Sequence, residues 1–450
     1  MRKLCLLVLI FLCACQPLTP APSSGFSVIF HPDGGLYVGD QVSLEVIPPD
    51  GWDSKDKQVQ VTSGDLVLWK TGFGAYGVGQ REEATLWWVW DTKGLQPGEH
   101  ELSFSIQPDG PTWQEQVDLS PAAGMPFANL KWESTTTICC SLYYVSGTEA
   151  ERDIDLLKTM VDEQAADVSL RMHAGFQQHI SITFMPRMLG HGGFASNGIY
   201  VSYLDGNIAG NITTQVVHHE MVHILDASLG GEMRPAILGE GLAVYLSGGH
   251  YKYEALLPRA AALLEMNSYI PLILLVKDFY QQQHEIGYLE AGALVEYLVD
   301  RYGWQAFEHF YRQIPNLDSP EESLEAALEQ NFQISLAQLE QDFLSELKKQ
   351  LVTKAEKEDL TLTIDYFNSM RNYQEVLDPS AYFLTAWVPD GEAMRQKGIV
   401  ADLVRAPDRL DNRIFEFVLL TANHEISRGY YKNAEIMLGV TNYLLDLYEK

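Results

Sequence analysis

"VVHHEMVHILD", residues 216–226, decides how the chain is read. Its apolar positions suit a buried helix, and within it His219, Glu220 and His223 form the pattern H-E-x-x-H. On a helix, residues i and i+4 share a face with Cβ atoms about 5 to 6 Å apart, so both imidazoles can reach one ion. Glu220 lies about 100° round the helix from His219, close enough to reach a water at that ion without ligating it. The stretch offers two metal ligands and a base; the plainer alternative is a core helix that carries imidazoles.

A third protein ligand separates these readings, because catalytic zinc takes three and leaves one position open. A glycine three residues and a histidine six residues after His223 would supply a third imidazole, but those positions hold Asp226 and Leu229. No Gly-Thr lead into a downstream aspartate follows either. "LGEGLAVYLSGG" (238–249) does offer Glu240 on the next expected helix, 17 residues beyond His223.

Taken in order, "HHEMVHIL" (218–225), "LGEGLAVYLSGG", "GYLEAGALVEYLVDRYG" (287–303) and "ISLAQLEQDFLSEL" (334–347) resemble a gluzincin metallopeptidase of the bacterial peptidase-MA-like group. The resemblance covers roughly residues 130–350 and implies an α+β zincin-like domain, a small sheet with an active-site helix. It implies His219, His223 and Glu240 as zinc ligands, and Glu220 as the base that takes a proton from water and hands it to the leaving amine. Other divalent metals also accept such a donor set. Gluzincins often place a tyrosine on a later helix facing the metal, which makes Tyr288 the candidate oxyanion donor and Tyr245 the second choice. Gluzincin aminopeptidases carry a Gly-x-Met-Glu-Asn strand, whereas "GHGGFASNGIYVSY" (190–203) holds no acid, so an endopeptidase is preferred over an aminopeptidase. "GIYVSY" (198–203) is expected to bind an extended peptide by edge addition.

Other titratable groups near the motif are less telling. Asp226 is an open candidate for orienting a ligand imidazole, since such rings usually donate their second nitrogen to a carboxylate or carbonyl. His218 points away from the chemistry and is expected to be packed or solvated. His173, His179, His191, His250 and His284 have no spacing partner and read as structural or surface residues.

Composition bounds the rest. A chain of 450 residues, 46% hydrophobic and 20% charged, is globular and long enough for about three domains of ~150 residues. With 60 acidic against 31 basic residues and a net charge of −29, it is a poor partner for nucleic acid, whose binding rests on Lys and Arg neutralising phosphates.

Arg2, Lys3 and the apolar run "LCLLVLIFLCA" (4–14) read as an export signal. "LCAC" (12–15) resembles the bacterial lipobox, which implies a signal over 1–14, lipidation of Cys15 and a lipid anchor in the membrane; an ordinary secretory signal is the alternative. Removing residues 1–14 takes Arg2 and Lys3 with it and lowers the formal charge by two, to −31. Residues 15–25 suit a linker. The remaining pair, Cys139 and Cys140, is expected to be small residues in a strand, with no disulfide framework.

Residues 26–125 alternate with period two in "DQVSLEVIP" (40–48) and "ATLWWVW" (84–90), and predict an all-β sandwich resembling an immunoglobulin-like accessory domain. Over 126–352, "STTTICCSLYYVSG" (134–147) is expected to be one strand, 148–173 a helix, "HISITFMP" (179–186) and "GIYVSY" strands, and the remainder helices forming the peptidase domain. Residues 353–450 are expected to be a helical C-terminal domain ending in a lone hairpin. Two functions stay open: a lipid-anchored zinc endopeptidase acting on peptides or proteins outside the cell or in the periplasm, and a surface binding or adhesion protein that keeps the fold without turnover. The intact Glu220 favours the first.

Overall fold

The computed structural model describes residues 25–77, 81–186, 192–203, 212–378, 391–405 and 409–448. The expected signal peptide, Cys15, most of the linker and His191 lie outside the described residues. The chain forms two compact units: the first takes residues 25–31, 36–75 and 81–123, and the second takes residues 32–35, 76–77 and those from 124 onward.

Nine strands build the first unit: β1 (Ser27–His31), β2 (Leu36–Tyr37), β3 (Gln41–Ile47), β4 (Gln58–Ser63), β5 (Leu66–Gly72), β6 (Gly74–Tyr76), β7 (Arg81–Asp91), β8 (Gly98–Gln107) and β9 (Thr112–Ser120). They form two sheets, ordered β1-β3-β7-β6 and β2-β9-β8-β4-β5. Period-two alternation turns Leu44, Val46, Ala84 and Leu86 of one sheet and Val59, Val61, Leu102 and Phe104 of the other into one shared core. The ring of Trp113 stacks between those of Phe26 and Phe104, at centroid distances of 5.0 and 5.1 Å.

The second unit opens with a mixed sheet of β10 (Trp132–Thr136), β11 (Cys140–Val145), β12 (Ile180–Met185), β13 (Gly193–Ala195) and β14 (Ile199–Ser202), ordered β10-β11-β12-β14-β13. The β11–β12 and β12–β14 pairs are parallel. Helices α1 (Glu149–Arg152) and α2 (Ile154–Arg171) join β11 to β12.

This sheet corrects three expectations. Residues 134–147 are not one strand: β10 and β11 are an antiparallel hairpin that turns at 137–139. Cys139 and Cys140 are bonded as a disulfide. Within a strand successive side chains point to opposite faces, but Cys139 lies in the turn, where its N–H donates to Asp162 of α2 at 3.0 Å. Finally, β14 is not an edge: β12 and β13 pair with its two sides, and β13 is the outer strand among the described residues.

Helices follow: α3 (Thr213–Ser228), α4 (Ala236–Ser247), α5 (Leu256–Glu265), α6 (Leu272–Asp278), α7 (His284–Tyr302), α8 (Trp304–Arg312), α9 (Pro320–Phe332), α10 (Leu336–Leu347), α11 (Lys354–Val376), α12 (Gly391–Lys397), α13 (Ala401–Val404), α14 (Leu410–Ser427) and α15 (Tyr431–Tyr448). A single core runs from the sheet through α3, α4, α5 and α7 to α10. The hairpin of α14 and α15 is not alone, because α11 shares a second core with it through Tyr366, Met370, Leu419 and Leu438. The expected boundary at residue 352 falls inside this unit, between α10 and α11. Arg395 of α12 donates to Thr183 Oγ1 of β12 at 2.6 Å, and the Trp132 indole donates to the Ile399 carbonyl at 2.8 Å. Among the described residues no helix is long and apolar enough to cross a membrane.

Candidate metal centre

Helix α3 is largely buried, and its apolar residues Val216, Val217, Met221, Val222 and Leu225 lie in the core. Its C-terminal end is held by Asp226, which pairs with Arg312 at 2.5 Å and Arg234 at 2.9 Å and accepts the Tyr311 hydroxyl at 3.0 Å. Those arginines also donate to the carbonyl of Asp226, near the helix C-terminus where cations are favoured. Asp226 therefore ties α3 to α8, and its contacts are to these side chains. On another face, His218 meets Asp167 of α2 at 2.9 Å, which makes it a buried tie between helices, as its packed reading expected.

Helix α4 starts directly after Pro235 and stops at Gly248, whose φ of 76° is the left-handed cap that glycine adopts at low cost. It lies close against α7. A Cβ on Gly241 would meet the Ala291 carbonyl oxygen at 2.4 Å, and one on Gly292 would meet Val244 Cγ1 at the same distance. These two glycines let the helix backbones approach and fix Glu240 beside α3.

The result is a convergence of three donor atoms. His219 Nε2 and His223 Nε2 are 3.1 Å apart, and Glu240 Oε2 lies 3.3 Å from the first and 3.1 Å from the second. Among the described residues this is the group of three able to hold a metal ion. A tetrahedral ion with bonds of about 2.0 to 2.1 Å would set its ligand atoms about 3.3 to 3.4 Å apart, so the trio fits such an ion with little adjustment. Two imidazoles and one carboxylate are also the donor types zinc accepts.

Electrostatics within the trio are strong. Burial pushes His219 down to about 4. Burial acts the same way on His223 but is outweighed by Glu240, which raises that imidazole to about 9. Glu240 is held well below the usual carboxylate range, because His223 and His219 overcome the cost of its burial. The proton on His223 must leave before its Nε2 can ligate, so affinity for a metal falls with acid. Burial raises Glu220 to about 8, with His223 opposing the rise and Glu240 adding to it.

The trio and Glu220 line a cleft of about 1030 Å³. Gly192, Gly193, Phe194 and Ala195 of the β13 segment form one wall, and Phe367, Asn368, Arg371 and Glu375 of α11 form part of another. Tyr288 lines the cleft, its ring centroid 6.2 Å from that of His219. Tyr245 does not line the cleft; Asp300, Glu296 and Arg171 are its charged neighbours.

Three further residues of the cleft carry no spacing signal in the sequence: Tyr280, His250 and His284. Tyr280, in the short 3-10 turn after α6, donates its hydroxyl to Glu240 Oε1 at 2.7 Å. His250, expected to be structural or surface, is buried and paired: it follows the Gly248-Gly249 turn to line the cleft, its Nδ1 lies 2.8 Å from Glu285 and its ring stacks on Tyr288 at 4.3 Å. His284 joins the same wall, with its ring centroid 4.9 Å from that of His250. The "SGGH" stretch carried the signal for a chain reversal; nothing in the spacing marked Tyr280.

Compared with known proteins, the sequence matches no protein-family model and no characterised protein.

Proposed function

We propose that this chain is a zinc-dependent peptidase of the gluzincin kind, an endopeptidase exported as a lipoprotein anchored through Cys15. The observation that carries the reading is one cleft holding a convergent His219–His223–Glu240 donor set with Glu220 beside it. On this reading the second unit is a zincin-like domain and the first an immunoglobulin-like spacer. The Cys139–Cys140 disulfide supports an oxidising compartment.

His219, His223 and Glu240 would hold the metal. Bound zinc would acidify a water to a pKa of about 7 and polarise the scissile carbonyl. Glu220 accepts a proton from the attacking water and returns it to the departing amine. Tyr288, stacked on His250, presents a hydroxyl to the negative charge that grows on the carbonyl oxygen. The backbone of β13 runs along the cleft, where an extended peptide would lie beside it, in place of the β14 edge that the sequence suggested.

The test is metal analysis of the purified soluble chain with a chelator-controlled digest of a peptide library. Bound zinc, cleavage lost to chelator and restored by zinc, and a Glu220→Gln variant that keeps the metal but loses at least about a hundred-fold in turnover are expected. A metal-loaded chain that cuts nothing, or a Glu220→Gln variant as active as the parent, would leave the surface-binding reading standing.

A further inference from the structure

Arg371 stands out in the cleft by charge. It is the only lysine or arginine among the described residues that line the cleft, although the acids Glu220, Glu240 and Glu375 line it too. The whole chain carries a net charge of −29, so an anionic ligand is repelled at long range and needs a local cation.

The cation is fixed by its helix. Phe367, Asn368, Arg371 and Glu375 follow helical spacing along one face of α11, and that face is the one turned to the cleft. Phe367 packs its ring 5.2 Å from that of His284, and Asn368 accepts from Gln283 Nε2 at 3.2 Å. Arg371 is half-buried, and its Nη1 donates to Gln374 Oε1 at 3.0 Å. A planar guanidinium held in this way suits two parallel hydrogen bonds to a carboxylate. Glu375 lies one turn on along the same face, at a spacing from which its carboxylate competes for the guanidinium.

We infer that Arg371 on α11 binds a carboxylate of the peptide substrate, either an Asp or Glu side chain or the free C-terminus, and thereby sets the specificity of the cleft. This rests on the peptidase reading for the word substrate, but not for the binding itself. Arg371 is a specificity residue and takes no part in bond breaking.

The test uses the full zinc-loaded chain carrying Glu220→Gln. The probes are six fluorescent alanine-based hexapeptides with glutamate placed at each position in turn, their glutamine counterparts, and each peptide as free acid and as C-terminal amide. At least one acidic peptide is expected to bind about ten-fold tighter than its neutral counterpart. Arg371→Gln should abolish that margin, Arg371→Lys should keep part of it, and Glu375→Gln should widen it. Loss on amidation assigns the free C-terminus, and loss on Glu-to-Gln exchange assigns a side chain. Equal binding of acidic and neutral peptides, a margin that survives in folded Arg371→Gln, or no binding of any probe would overturn the inference. Cleavage by the parent chain with no acidic preference would sink it and leave the peptidase reading intact; an Arg371-dependent margin without any cleavage would do the reverse.

Discussion

The Tyr280 hydroxyl donates to Oε1 of Glu240 at 2.7 Å, while Oε2 of the same carboxylate faces both imidazoles. Tyr280 as a whole is 67% exposed, while its hydroxyl end is turned in to Glu240 and its ring meets Phe279 edge-on at 5.3 Å. Burial and the adjacent Glu240 raise its phenol, which keeps it a donor. Outer partners of this sort orient a ligand and typically account for 10- to 100-fold in metal affinity. Tyr280→Phe should weaken zinc binding by about ten-fold in a chelator competition, with little change in melting temperature. Unchanged affinity would remove Tyr280 from the centre.

Tyr288 can be separated from a purely packed tyrosine by the same conservative change. Phenylalanine keeps the stack on His250 and the edge contact with Phe279, at 4.3 and 5.2 Å, and deletes only the hydroxyl. If that hydroxyl meets the oxyanion, Tyr288→Phe lowers kcat by about a hundred-fold and leaves KM and zinc content alone. A variant with parental kcat would return Tyr288 to packing and shift attention to His250.

How far the sequence reached depended on whether a signal was periodic. His219, Glu220, His223 and Glu240 were legible because helical spacing and an ordered pair of motifs encode them within 22 residues. Tyr280 and His250 come from a 3-10 turn and a Gly-Gly reversal, where position in space has no fixed relation to position in sequence. The β10–β11 hairpin was hidden because its turn, "TIC" at 137–139, contains no Gly, Pro, Asn or Asp. By contrast the turn between β13 and β14 carries Asn197-Gly198, a dipeptide that favours a hairpin.

Asp359 of α11 bears on the expected C-terminal domain. It accepts Lys252 Nζ at 2.6 Å, Arg259 Nη1 at 2.6 Å and the Tyr431 hydroxyl at 3.0 Å. Lys252 lies in the same loop as His250, so helix α11 braces that wall of the cleft. Breaking a buried ion pair by removing one partner costs about 3 to 5 kcal/mol. Asp359→Asn should lower the melting temperature clearly, and a chain ending at residue 352 should fail to give a soluble, cooperatively melting second unit. A truncated chain that melts like the parent would make α11 to α15 an independent appendage.

Glu290 on α7 predicts a pH dependence away from the metal centre. It is fully buried, its Oε1 accepts from the Ile270 N–H at 2.8 Å, and its Oε2 has no hydrogen-bond partner among the described residues. Burial raises its carboxyl well above the usual range, and Glu340 adds to that. The folded chain therefore keeps a proton that the unfolded chain releases above about pH 4.5. Because the folded state binds more protons in that window, this group's contribution falls as pH rises, by at most about 1.4 kcal/mol per pH unit. Glu290→Gln is neutral at every pH and removes the slope. The melting temperatures of parent and variant should lie close together near pH 4 and diverge toward pH 8, with the variant higher. A gap that stays constant from pH 4 to 8 would mean that Glu290 is ionised in the folded protein.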